Sequence, residues 1–290
     1  DHLKDYPVPT QEWTNWHYDQ TINQQGTQLD LALINGALEL SDQAALKLGD
    51  DIRRVSGIDN PNSVAQLKQW LSEQLGKDID KLGKEAVNEL LEAPQVQANP
   101  AVYYVLKKRK EMAKSSVKKY TAMENAVCKD GRVRGLLQFY GANRTGRWAG
   151  RLVQVQNLPR NYIPELSLAK NLVKQENAAM LELTYGSLPD TISQLIRTAF
   201  VPREGYEFVV ADFSAIEARV ISWLAGEDWR LEVFRTHGKI YEASASSMFN
   251  VPIEKIKKGN PEYALRAKGK VAELALGYQG GTGALIQMGA

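Results

Sequence analysis

Apolar residues at Leu29, Leu31, Ile34, Leu38, Ala45, Leu48 and Ile52 recur every three to four positions, so the N-terminal third reads as helix, with Gly57 just past its end. Asn62-Ser63 caps a second helix carrying Val64, Leu67, Leu71 and Leu75, and a third, short one spans about 83–93 and stops at Pro94. After Pro100 the stripe Val102, Val105, Leu106, Met112, Ala113, Tyr120, Met123 and Val127 predicts one long amphipathic helix, about 40 Å at 1.5 Å per residue. Lys107, Lys108, Lys110, Lys114, Lys118 and Lys119 cover much of its other face. From Asp130 to Arg160 helical periodicity fades into a Gly- and Arg-rich stretch, and a helix-rich segment follows from Ile163 to Phe200. Glu207–Phe213 (EFVVADF) reads as a strand buried on both faces, being a short apolar run with β-branched residues. Two further helices are expected at about 239–249 and 261–277, the second with Asn260 as its cap and Pro261 at its first position. The fold class is therefore α+β and mostly helical.

Charge changes this picture in one region. The net charge is only +2, yet residues 101–160 hold 14 Lys/Arg against 3 Asp/Glu. Such a local excess suits a polyanion, because each neutralised phosphate releases condensed counterions. A solvated helix face beside a basic loop is the plainer alternative. Composition otherwise is that of an ordinary soluble protein, 43% hydrophobic and 24% charged. With Cys128 as its one cysteine the chain forms no internal disulfide and no thiolate metal cluster, which fits a cytosolic origin. No apolar run approaches the roughly 18 residues that span a bilayer, so no membrane partner is expected. The chain opens at Asp1 and closes on Gly289-Ala290, and both ends read as boundaries inside a longer protein.

Three groups of residues carry candidate chemistry. Asp212 closes the expected strand and precedes a helix start, a common way to present a carboxylate to hard cations. Taken alone, Asp212 reads more readily as a helix-start aspartate than as a metal ligand. Ser214 and Glu217 have the spacing of a capping box, which accounts for Glu217 without function and still leaves it beside Asp212. On the helix from Pro261, Arg266, Lys270, Leu274 and Tyr278 recur every four residues and form a slowly turning stripe. Two cations followed by an apolar residue and an aromatic suit a nucleoside triphosphate, phosphates on the cations and base and sugar on the other end. Most such Arg/Lys pairs are solvated surface. Gly269 within the same helix costs about 1 kcal/mol against Ala, and so signals close approach of another backbone or a ligand.

These segments resemble a known family. VVADFSAIEARVISWLAGE (209–227) is similar to motif A of family A, DNA polymerase I-like DNA polymerases, usually written DYSQIELR. PEYALRAKGKVAELALGYQGG (261–281) resembles motif B, and TGRWAGRLVQVQNLPR (145–160) resembles the TGR…QNIP block before them. INQQGTQLD (22–30), NPNSVAQLKQWL (60–71) and KKRKEMAKSSVKKY (107–120) follow the thumb segments in order, so the resemblance covers nearly the whole chain. It implies a right-hand polymerase fold divided as palm start 1–26, helical thumb 27–130, palm part 131–227 and start of fingers 228–290. It also implies template-directed transfer of deoxynucleotides from dNTPs to a primer 3′-OH, with two Mg2+ ions in the complete enzyme. On that basis Asp212 and the Phe213 carbonyl bind metal, and Glu217 excludes a ribose 2′-OH. Arg266 and Lys270 hold the triphosphate, Lys270 also protonating the leaving pyrophosphate, while Tyr278 stacks near the templating position. Arg147, Gln156, Asn157 and Arg160 contact primer–template DNA, and Lys108, Lys114 and Lys118 track its backbone.

The sequence also departs from the family pattern. Leu274 stands where many relatives carry Phe or Tyr, Ala215 replaces the usual Gln, and Tyr241 takes the place of a phosphate-binding His in the dNTP site. About 36 residues separate Arg160 from Arg197, far more than in bacterial repair enzymes; with ELALGYQGG this points to a phage or prophage branch acting in the cytoplasm of a bacterial host. Motif C, which supplies the second metal-binding Asp, is expected beyond Ala290, so the 290-residue chain is expected not to polymerise by itself. No exonuclease-like carboxylate set precedes the thumb segments. Two alternatives stand beside this reading: a single-subunit RNA polymerase, disfavoured by Glu217, and a non-catalytic primer–template-binding or scaffolding module.

Overall fold

Local signals set the first long helix. Asp30 accepts a hydrogen bond from the Leu33 amide at its N-terminus, and Gly57 ends it in the left-handed conformation at φ 72°. The computed structural model describes residues 4–112 and 117–289, which divide into two compact units, Asp1–Phe208 and Val209–Ala290.

The first unit begins with α1 (Thr10–Gln25), β1 (Thr27–Leu29) and α2 (Leu31–Ser56). It continues with α3 (Val64–Leu75), α4 (Lys84–Glu92), α5 (Pro94–Gln97), α6 (Pro100–Met112) and α7 (Val117–Ala126). Three short strands follow, β2 (Arg132–Val133), β3 (Leu137–Ala142) and β4 (Arg147–Gly150). The segment 161–196 folds as α8 (Leu166–Lys174), α9 (Ala178–Tyr185) and α10 (Leu188–Leu195), and β5 (Phe200–Val201) closes the unit. β1 pairs antiparallel with β2 (Thr27 opposite Val133) on one side and with β5 (Leu29 opposite Phe200) on the other; β3 and β4 form a separate hairpin. Ser63 caps α3 through the Gln66 amide, as its position in the sequence predicts.

Two hydrophobic clusters hold this unit together. One joins Ile52 of α2 to Leu67 and Leu71 of α3, Val87 of α4, Val96 of α5 and Val102, Val105 and Leu106 of α6. The other gathers Leu33, Ile34, Ala37 and Leu40 of α2, Tyr120 and Met123 of α7, and Ala169, Val173, Leu181, Ile192 and Leu195 from 161–196. The segment 161–196 is therefore a core packing element, with its buried face on α2 and α7. The approach is tight at Gly36, where an added Cβ would lie 2.2 Å from the carbonyl oxygen of Val173. Backbone does not yield cheaply, so Gly36→Ala is expected to destabilise the chain by about 1–3 kcal/mol in urea unfolding. An unchanged midpoint would mean that α8 moves freely against α2.

The long helix expected after Pro100 is described over Pro100–Met112 (α6) and Val117–Ala126 (α7), and the part of it at Ala113 and Lys114 lies outside the described residues. Two other expectations about secondary structure need correction. Glu207–Phe213 forms no strand: it is irregular chain, with Val209 88% and Val210 89% exposed. β-structure requires a neighbouring strand to take its amides and carbonyls, and among the described residues none pairs with this segment. Asn260 does not cap the helix that follows it; its side-chain amide donates to the carbonyl of Lys255, and the first turn, Pro261–Ala264, is 3-10.

Candidate active site

The second unit is built from α11 (Ile216–Ala225), α12 (Asp228–Thr236), α13 (Ile240–Phe249), α14 (Leu265–Gly277) and α15 (Thr282–Gln287). Asp212 and Phe213 lie on the exposed chain leading into α11. That helix starts differently from the expected capping box. Ala215 is its N-cap at φ 50°, no side chain caps it, and the Ser214 carbonyl accepts from Arg219 Nε at 2.8 Å. Freed from a cap, the Glu217 carboxylate accepts a hydrogen bond from the hydroxyl of Tyr278, 61 residues further along the chain.

α13 and α14 pack closely because of Gly269. A Cβ there would stand 2.1 Å from the Tyr241 carbonyl oxygen and 3.0 Å from Ala245 Cβ. The glycine in the α14 pattern therefore marks close approach of another backbone, one of the two readings open from sequence. This contact places Tyr241 of α13 beside α14. The Arg266 guanidinium lies over the Tyr241 ring, 5.3 Å from its centroid, and its Nε donates to Glu242 Oε1 at 2.8 Å.

A cavity of about 700 Å³ opens between these helices. It brings together Asp212, Phe213, Glu217, Tyr241, Leu274 and Tyr278, all singled out in the sequence. Arg266 and Lys270 do not line it: Arg266 is engaged by Glu242, and Lys270 is exposed on α14. The same cavity is also lined by a polar network that sequence reasoning missed. Glu273, its side chain 6% exposed, accepts hydrogen bonds from both Arg230 and Ser244, and Arg230 also reaches Glu227 at 3.2 Å. A lone acid inside Val271-Ala272-Glu273-Leu274-Ala275 was the available signal, since a buried charge needs a partner.

In the first unit, Arg147 sits exposed on β4, and Gln156, Asn157 and Arg160 are exposed on the segment after it. Gln156 Nε2 donates to the Trp148 carbonyl at 2.7 Å, and Trp148 Nε1 donates to the buried Asp19 at 2.8 Å, so the hairpin and α1 hold this segment. Lys118 is exposed on α7. Lys108 is partly committed, near Glu111 at 3.6 Å and over the Tyr104 ring. Among the described residues no helix is long and apolar enough to cross a membrane, and no three His, Cys, Asp or Glu side chains assemble a metal site.

The model of DNA polymerase family A matches residues 36–287. This chain belongs to that family. The DNA polymerase of Bacillus phage SP02 is 60% identical over 95% of the chain, and the thermostable DNA polymerase I of Thermus aquaticus is 26% identical over 80%. Among solved structures, the POL domain of Pol1 from M. smegmatis, in complex with DNA primer-template and dNTP, superposes with a TM-score of 0.59 at 22% identity over 91% of the chain. That likeness establishes the fold, a mostly helical family A polymerase fold. The chain spans 41% of the length of the phage polymerase and 41% of the POL-domain chain. The phage relative agrees with the phage-type reading of the sequence.

Proposed function

We propose that this family A chain is the primer–template- and nucleotide-handling part of a DNA-directed DNA polymerase of phage type. The observation that carries the reading is the single cavity shared by Asp212, Phe213, Glu217, Tyr241, Leu274 and Tyr278 in a chain 60% identical to a phage DNA polymerase. Duplex DNA lies along the basic stretch 101–160, with Arg147, Gln156, Asn157 and Arg160 at the primer–template minor groove and Lys108, Lys114 and Lys118 along its backbone. Arg266 and Lys270 hold the triphosphate; for Arg266 this means exchanging or sharing its present partner, Glu242. Lys270 is the proton donor to the departing pyrophosphate. Glu217, braced by Tyr278, occupies the space a ribose 2′-OH would need and so selects deoxynucleotides.

Magnesium would supply charge stabilisation on the transferring phosphoryl group, with Asp212 and the Phe213 carbonyl as the ligands in this chain. One carboxylate and one carbonyl do not make a two-ion centre, and the described residues assemble no larger acidic group. The 290-residue chain is accordingly proposed to bind primer–template without extending it. Primer extension tests this with the chain alone and with a chimera in which residues 1–290 replace the matching stretch of the phage SP02 polymerase. Extension by the chimera only is the expected result. Extension by the chain alone would show that a second carboxylate is present after all. A chimera that binds duplex but never extends would favour the non-catalytic binding module.

A further inference from the structure

The basic helix α7 carries two adjacent lysines with different surroundings. Lys118 is exposed, whereas Lys119 is half-buried and its Nζ donates to the Val153 carbonyl at 2.5 Å, with the Gln154 carbonyl at 3.4 Å. Those carbonyls belong to the turn that presents Gln156 and Asn157. We propose that Lys119 is a positioning residue, which holds the turn 151–157 in the shape that presents Gln156 and Asn157 to primer–template DNA, and that it is not itself a phosphate contact. This rests on the polymerase reading for the identity of the ligand.

Four observations support it. First, the turn has an intrinsically unfavourable backbone: Leu152 at φ 52° and Gln154 at φ 58° are both left-handed and neither is glycine. Such a shape persists only where its surroundings over-determine it. Second, the anchor is itself fixed, because Tyr120 and Met123 bury α7 completely at those positions, and Val153 is equally buried. Third, the turn is held at its far end too, where Arg197 Nη2 donates to the Leu158 carbonyl at 3.1 Å, so cations bracket it from α7 and from just after the segment 161–196. Fourth, desolvation pushes the Lys119 ammonium below the usual lysine range, the opposite of what a phosphate-facing cation needs. The helix thus divides its charge: Lys118 faces outward, and Lys119 is spent on backbone.

Amide hydrogen exchange on the free 290-residue chain tests the anchor without any DNA. Lys119→Met is expected to speed exchange of the amides at 153–157 by about tenfold or more while α2 and α7 stay protected, and Lys119→Arg to restore most of the protection. Unchanged exchange in the turn overturns the proposal. If Lys119→Met lowers protection throughout the unit, Lys119→Ala, which removes the donor without placing a long apolar chain beside the carbonyls, carries the same measurement.

Binding to a fluorescent primer–template duplex across a salt series then separates position from charge. Lys119→Met should weaken binding by about tenfold with the salt slope unchanged, whereas Lys118→Ala should lower the slope by about one. In the Lys119→Met background Gln156→Ala should add less than about twofold, since the turn is already misplaced. A lowered slope for Lys119→Met, or full additivity with Gln156→Ala, would make Lys119 an independent DNA contact and overturn the proposal. Failure of the unsubstituted chain to bind duplex sinks the polymerase reading instead, and exchange still decides whether Lys119 holds the turn.

Discussion

In the phage-polymerase chimera, Asp212→Asn is expected to lower the rate of primer extension by about 10²–10³-fold or more, with primer–template affinity unchanged. The substitution keeps size and shape and removes one negative charge. Asp212 is exposed beside the cavity that also holds Phe213, Glu217 and Tyr278. It makes no contribution to a folded core, so little stability is at risk. The chemistry proposed for the site concentrates charge on a transferring phosphoryl group, and loss of one preorganised charge-stabilising group typically costs 10²–10³ in rate. Single-turnover extension at saturating DNA measures the rate directly, and anisotropy on the same duplex measures binding. A chimera that extends within a few-fold of normal would remove Asp212 from the reaction. Loss of binding together with rate would point to a folding or docking defect.

The largest effect on stability is expected at Tyr120. Its ring is fully buried in the cluster that joins α2, α7 and the segment 161–196, and its hydroxyl donates to the Ile192 carbonyl at 2.8 Å. Tyr120→Ala should cost about 3–5 kcal/mol, the usual penalty for truncating a buried aromatic side chain. Tyr120→Phe isolates the hydrogen bond and should cost about 1–3 kcal/mol, because the Ile192 carbonyl is left without that donor. Burial also raises the phenol well above its ordinary value of 10.0. The protonated form is thus favoured in the folded chain, so this contribution is complete below pH 10 and declines as the pH rises above it. Urea unfolding of both variants at neutral and alkaline pH checks each part. A Phe variant as stable as the parent, with the same alkaline decline, would mean that the segment 161–196 is not tied to α7 through Tyr120.

How much of this was legible depended on the range of the interaction. The cap at Ser63 and the stop at Gly57 involve partners within a few residues, and periodicity located α2, α3, α4, α13 and α14. Gly269 was legible as an anomaly within a helix, although its partner, the Tyr241 carbonyl, was not. The cavity gathers six of the residues chosen from motifs, because motif A leads into α11 and motif B forms α14 of the same unit. Arg266 was read as a phosphate cation from spacing; that Glu242 already engages it is a contact between two helices, which spacing on one helix does not encode.

The sequence by itself determined where the principal helices form, which residues carry charge, and which family the chain belongs to. Each of these is recorded in neighbouring residues or in the order of short motifs. Only the tertiary structure decided what those residues touch. Glu217 has capping-box spacing yet takes the hydroxyl of Tyr278. EFVVADF has strand composition yet stays unpaired and exposed, because pairing is made by a partner strand and not by the segment itself. Lys118 and Lys119 are the same residue type side by side, and successive positions on a helix point about 100° apart. That angle turns Lys118 to solvent and sets Lys119 against the carbonyls of a turn 34 residues away.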